Sequence, residues 1–150
     1  MKFESLGAEE KKMIKHVEKN NIFVLETKSF HYVLGIDGEG FNRHIHWGAK
    51  CDVNDYEFEA VHGISSNDPA LNGIKQEITP FGSTMYRECD IKARFEDGCR
   101  EIFLVYKGFE QNGDTLKLHF EDEYYPLGVT LCYEVFEEYD IIKRYVTLTN

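Results

Sequence analysis

Paired cysteines, prolines and long apolar runs are what this sequence most lacks. Its four cysteines, Cys51, Cys89, Cys99 and Cys132, stand far apart and none belongs to a CxxC pair, which removes the commonest zinc and dithiol patterns. No apolar run approaches the roughly 18–20 residues that a membrane span needs. The first twenty residues, MKFESLGAEEKKMIKHVEKN, alternate charges around no apolar centre and do not read as a signal peptide. Scattered cysteines without a secretory signal point to reduced thiols and a cytoplasmic protein. Cations are in the minority, with 17 Lys and Arg against 27 Asp and Glu and a net charge of −10. Such a surface repels phosphate backbones and anionic lipid, so neither nucleic acid nor a membrane is an expected partner. Internal repeats, low-complexity segments, phosphate-binding glycine loops followed by a helix, and a Gly-x-Ser-x-Gly elbow are all missing.

What is present is aromatic and β-like. The 150 residues include eleven Phe, nine Tyr and one Trp, and 42% are hydrophobic, enough for one domain with a real core and rich in strand formers. Residues 8–19 read as a short helix with Met13, Ile14 and Val17 on one face, which makes residues 1–20 a helical extension. From residue 21 the pattern is that of strands. Residues 22–26, 30–36 and 41–47 come first, with a turn at Asp37-Gly38; 90–96 and 100–109 flank Asp97-Gly98; 115–121 follows Asn112-Gly113; 127–137 and 141–149 complete the series. Residues 52–82 are irregular. Short strands separated by turn signals predict an all-β sandwich over 21–150. The strong strand at 141–149 leads us to expect a neighbouring strand in a longer polypeptide.

The stretch HIHWGAKCD, His44 to Asp52, raises the question of metal chemistry. A period of two places Phe41, Ile45 and Trp47 on the core face, with Arg43 among them, and Asn42, His44 and His46 on the wet face. Two histidines at i and i+2 can reach one metal. Gly38, His44 and His46 match half of a cupin motif, but Lys50 or Cys51 stands where the glutamate belongs, and only a favourable fold could bring His62 or His119 to the site. A Cys51–His46 nucleophile pair lacks a third orienting group. Ser65, Ser66, His62 and Asp68 offer the raw material of a hydrolytic triad without its elbow. Neither metal nor cofactor is expected.

The most specific stretch is YYPLGVTLCYEVFEEYDIIKRYVTLTN. It resembles the N-terminal domain of glycoside hydrolase family 36, the bacterial and fungal α-galactosidases, through Leu127, Val129-Thr130-Leu131, Tyr133, Val135-Phe136-Glu137, Tyr139-Asp140-Ile141-Ile142, Arg144 and Asn150. Upstream, GSTMYRECDIKARFEDGCREIFLVYKGF and the Trp47-Gly48 pair are similar to further family motifs in the same order, so the resemblance covers residues 22–150. It implies a supersandwich-like, truncated β-sandwich that precedes a (β/α)8 barrel. The two catalytic aspartates of the family lie in that barrel, so no carboxylate here has their role. The resemblance also implies that Trp47, Asp55 and Phe58 help to form the wall of a galactoside pocket. It further implies contacts with the barrel of the same polypeptide, and homo-oligomers. The alternative is a free-standing carbohydrate-binding β-sandwich.

Overall fold

In a computed structural model, the fold is described for residues 12–60, 75–82 and 88–150. Two four-stranded antiparallel sheets stack face to face, each a simple meander. The first holds β1 (Ile14–Val17), β2 (Ile22–Glu26), β3 (Phe30–Ile36) and β4 (Asn42–Ala49). The second holds β5 (Leu104–Asn112), β6 (Thr115–Asp122), β7 (Gly128–Phe136) and β8 (Ile141–Thr149). β1 lies over β5, where Gln111 Nε2 donates to the Ile14 carbonyl at 2.9 Å. At the other side Ser29 N, between β2 and β3, donates to Asp140 Oδ1 at 2.8 Å beside β8.

The expected all-β sandwich is therefore present, but the expected helix is not. Residues 14–17 form a strand paired with β2, Ile14 opposite Leu25 and Val17 opposite Ile22, followed by a single 3-10 turn at Glu18–Asn20. Ile14 buries itself in the inter-sheet core, and that burial with a paired ladder outweighs the helix propensity of the charged residues around it. The part of the helix reading at residues 8–11 lies outside the described residues.

Alternation sets the core between the sheets. Phe23, Leu25, Leu34 and Ile36 face Leu116, Leu118, Phe120, Val129, Leu131, Tyr133 and Val135. β2 is apolar on both faces because Ile22 and Val24 point the other way. They meet a second small core with Val33 and Tyr56, packed by Ile45, Val53 and Phe58. The first sheet is thus covered outside by the segment after β4. The alternation of residues 90–96 also has a structural meaning, though no ladder forms there. Ile91 makes one isolated bridge to Pro80, and Ala93 and Phe95 pack on the core. Cys99 accepts from Phe95 N at 2.9 Å across the Asp97-Gly98 turn, and β5 begins only at Leu104.

Candidate functional site

The register of β4 decides the histidine question. β3 pairs Val33 with His46 but Leu34 with His44, so Ile45 is an extra residue, a bulge. One inserted residue reverses the phase of the strand. His44 and Trp47 therefore face the second sheet, while Arg43, Ile45 and His46 face outward. This corrects the expectation that His44 and His46 share a wet face opposite Ile45 and Trp47. His44 Nδ1 donates to Glu77 at 2.8 Å; His46 packs on Tyr56 and donates through Nε2 to the Ala49 carbonyl at 3.0 Å. They cannot hold one metal. Among the described residues no three His, Cys, Asp or Glu side chains cluster for one. Cys51 also turns to the Ala49 carbonyl, at 3.6 Å. His119 meets Thr130 Oγ1 at 3.1 Å on the second sheet. His62, Ser65, Ser66 and Asp68 lie outside the described residues.

The same phase reversal builds a site that the sequence reading missed. Glu77, with a side chain 1% exposed, sits between the sheets at the β4–β8 side. Both its oxygens accept from Tyr32 O–H at 2.9 Å, and Oε2 accepts from Tyr133 O–H at 2.6 Å. Arg144 Nε stands 3.5 Å from the same carboxylate. Burial first, and then the Glu77 charge, pushes both phenols well above their ordinary range, so they remain protonated donors. Glu77 lies in the segment read as irregular, and a single acid between Gln76 and Ile78 has no periodicity to mark it. Its anchoring is local: Asn42 Oδ1 accepts from Ile78 N at 2.8 Å, and Lys75 O accepts from His44 N at 2.8 Å.

Above this network a groove of about 310 Å³ opens to solvent, lined by Phe30, Tyr32, Trp47, Ile141, Ile142 and Arg144, with Asp140 at its rim. Trp47 is 69% exposed, with Phe30 and Tyr32 ring centroids 6.4 and 6.2 Å away. Asp140 takes a left-handed conformation with φ of 51°, and the bond from Ser29 N holds its carboxyl below the usual range.

The other two pocket-wall candidates lie elsewhere. Phe58 packs on the outer face of the first sheet, against Gly35 and 6.0 Å from the Arg43 guanidinium carbon. Asp55 is exposed on the 3-10 turn Val53–Asp55, which Asp52 caps by accepting from Asn54 N at 2.9 Å. Trp47 and Phe58 are thus on opposite faces of one sheet, and the structure does not bring the three together.

The described residues form a sandwich of two meanders with Trp47 exposed beside a groove. Comparison with known proteins gives its family. The model of the glycosyl hydrolase family 36 N-terminal domain matches residues 40–150, and the chain belongs to that family. It is 29% identical over 157 residues to the bifunctional α-galactosidase/sucrose kinase of Mediterraneibacter gnavus, covering 86% of this chain and 17% of that protein. It is 26% identical over 160 residues to the α-galactosidase AgaA of Geobacillus stearothermophilus, covering 83% and 22%. Among solved structures, the α-galactosidase AgaB of Geobacillus stearothermophilus superposes with a TM-score of 0.79 at 21% identity, over 91% of this chain and 22% of that one. The chain spans about a fifth of the length of these relatives, in their N-terminal part.

Proposed function

We propose that this chain serves an α-galactosidase-like glycoside hydrolase as its non-catalytic N-terminal domain, scaffolding a catalytic barrel and shaping the entrance to the sugar site. The observation that carries this reading is the match of residues 40–150 to that domain family, together with the two four-stranded sheets of the fold. The galactoside, the barrel and oligomeric contacts are the partners that it assigns. Trp47 on the inner side and Asp55 and Phe58 on the outer side are its candidate substrate-facing residues, on two separate surfaces. The four free cysteines fit a reducing, cytoplasmic setting. Replacing the corresponding domain of the Geobacillus α-galactosidase AgaA by this chain tests the reading. The chain alone releases no nitrophenol from p-nitrophenyl α-galactoside, and the chimera regains activity that the domain-deleted enzyme has lost. A soluble chimera no better than the deletion refutes it.

A second reading, a free-standing carbohydrate-binding module, is favoured by one observation, the exposure of Trp47.

A further inference from the structure

We propose that the hollow beside the Asp97-Gly98 turn binds a dianionic phosphate, free or carried on a small organic body, through Lys92, Arg94 and Arg100. The hollow shares no residue with the Trp47 groove and does not rest on the reading above. Its volume is about 520 Å³, and among the described residues Lys92, Ala93, Arg94, Gly98 and Arg100 line it. Three of these carry positive charge and none is acidic, in a chain with 17 Lys and Arg against 27 Asp and Glu. What sets these cations apart is their lack of partners. Each Lys or Arg on a strand, Lys15, Arg43, Lys107, Lys117, Lys143 and Arg144, has a carboxylate within 3.6 Å. Around the hollow only Lys92 is answered so, by exposed Glu88. Arg94 has no carboxylate partner among the described residues. The Arg100 guanidinium rests on Phe81, 4.9 Å from the ring centroid.

Two guanidiniums thus keep their N–H donors for an outside acceptor, and their planar fork matches the oxygens of a phosphate. Charge selects the same ligand. Three cations less the Glu88 carboxylate leave a local charge of +2. A phosphate monoester carries about −1.5 to −2 at pH 7 and answers it. A long polyanion or an anionic bilayer would also press on the surrounding surface, which belongs to a chain of net charge −10. A compact ligand touches the hollow alone. The wall is built before any ligand arrives. Gly98 N donates to the Phe95 carbonyl at 2.9 Å, and the Phe95 ring stacks on Tyr125 with centroids 3.8 Å apart. Asp97, whose acid would oppose an anion, is taken up elsewhere. It accepts from Tyr125 O–H at 2.7 Å and from Cys99 N at 2.9 Å.

The test is a titration of the whole chain at low ionic strength, read by phosphorus NMR. Glycerol 3-phosphate and inorganic phosphate should each give a saturable shift in the millimolar range, weakened by added sodium chloride. Dimethyl phosphate, a monoanionic diester, should bind about tenfold more weakly or not at all. Arg94→Gln and Arg100→Gln should each raise the dissociation constant about tenfold. Arg94 is exposed and without a carboxylate partner, so the urea midpoint of Arg94→Gln should match that of the parent chain. Lys117→Gln, which removes a cation paired with Glu110 on the second sheet, should leave binding unchanged. Comparing the first two probes separates the sources. Tighter binding of glycerol 3-phosphate puts the organic body in the hollow, and equal binding makes free phosphate the ligand. The absence of a saturable shift with either probe overturns the proposal. So does a diester that binds as tightly, an Arg94→Gln chain with undiminished affinity, or a loss in Lys117→Gln equal to that in Arg94→Gln. The N-terminal-domain reading stands or falls separately, by the chimera.

Discussion

Glu77 answers four side chains from four strands, Tyr32 on β3, His44 on β4, Tyr133 on β7 and Arg144 on β8. Removing such a buried partner strands the rest. Glu77→Ala should cost about 3–5 kcal/mol in urea unfolding, and a loss below 1 kcal/mol would show that the network contributes little. Glu26 is a second residue whose charge matters. Burial acts to raise its pKa, but Lys15 and Lys50, at 2.8 and 2.9 Å, hold it at about 2 against an ordinary 4.5. The folded pKa is depressed, so the stabilisation is complete above pH 4.5 and is lost as pH falls toward about 2. Buried His31 adds a separate loss that begins below its ordinary 6.5, since burial lowers its pKa. Glu26→Gln should flatten unfolding midpoints between pH 4.5 and 2 but deepen the decline that begins below 6.5, because the Glu26 carboxylate, 3.7 Å from His31, opposes the lowering of that imidazole. Gly35 illustrates a steric limit. A Cβ there would come within 2.8 Å of Phe58 Cζ and 2.9 Å of the Asn21 carbonyl. Gly35→Ala should therefore destabilise by about 1–3 kcal/mol in the same assay.

Among the elements, β6, β7 and β8 were readable from alternation because each has a regular ladder along its length. Trp47 could be singled out on its motif. β4 could not be phased, since a bulge at Ile45 leaves no trace in a string of residues and puts the stretches on its two sides out of phase, so one period of two misassigns Arg43, His44 and Ile45. That change of phase separates the histidines and hides the link between His44 and Glu77. Residues 90–96 alternate as a strand would, but only the inward row finds a partner surface and the backbone has just one bridge. β1 misled in the opposite sense, its short apolar set fitting a helix face as well as a strand edge. Ile14→Ala tests its place in the core. Truncation of a buried strand residue should cost about 2–5 kcal/mol in urea unfolding, whereas a detached helix would lose almost nothing.

On the scale of the molecule, the β8 side is the least finished. Val129, Leu131 and Tyr133 are buried on β7, but their partners across the ladder, Leu148, Val146 and Arg144, are exposed, Leu148 by 54%. An open edge with apolar side chains invites pairing with a second copy. Sedimentation should show concentration-dependent association of the chain, reduced by Leu148→Lys; a monomer at every concentration would contradict this. The two meanders have another consequence. Each sheet is contiguous in the chain, residues 14–49 and then 104–149, and among the described residues no strand crosses between them. Each can therefore be laid down from near neighbours, at small loop-closure cost, before the sheets meet. On a ribosome the first sheet emerges with its inner face, Phe23, Leu25, Leu34 and Ile36, still waiting for a mate that is translated more than fifty residues later. At about 5–20 residues per second that interval lasts seconds, and the nascent chain spends it with an uncovered apolar sheet that a chaperone can hold.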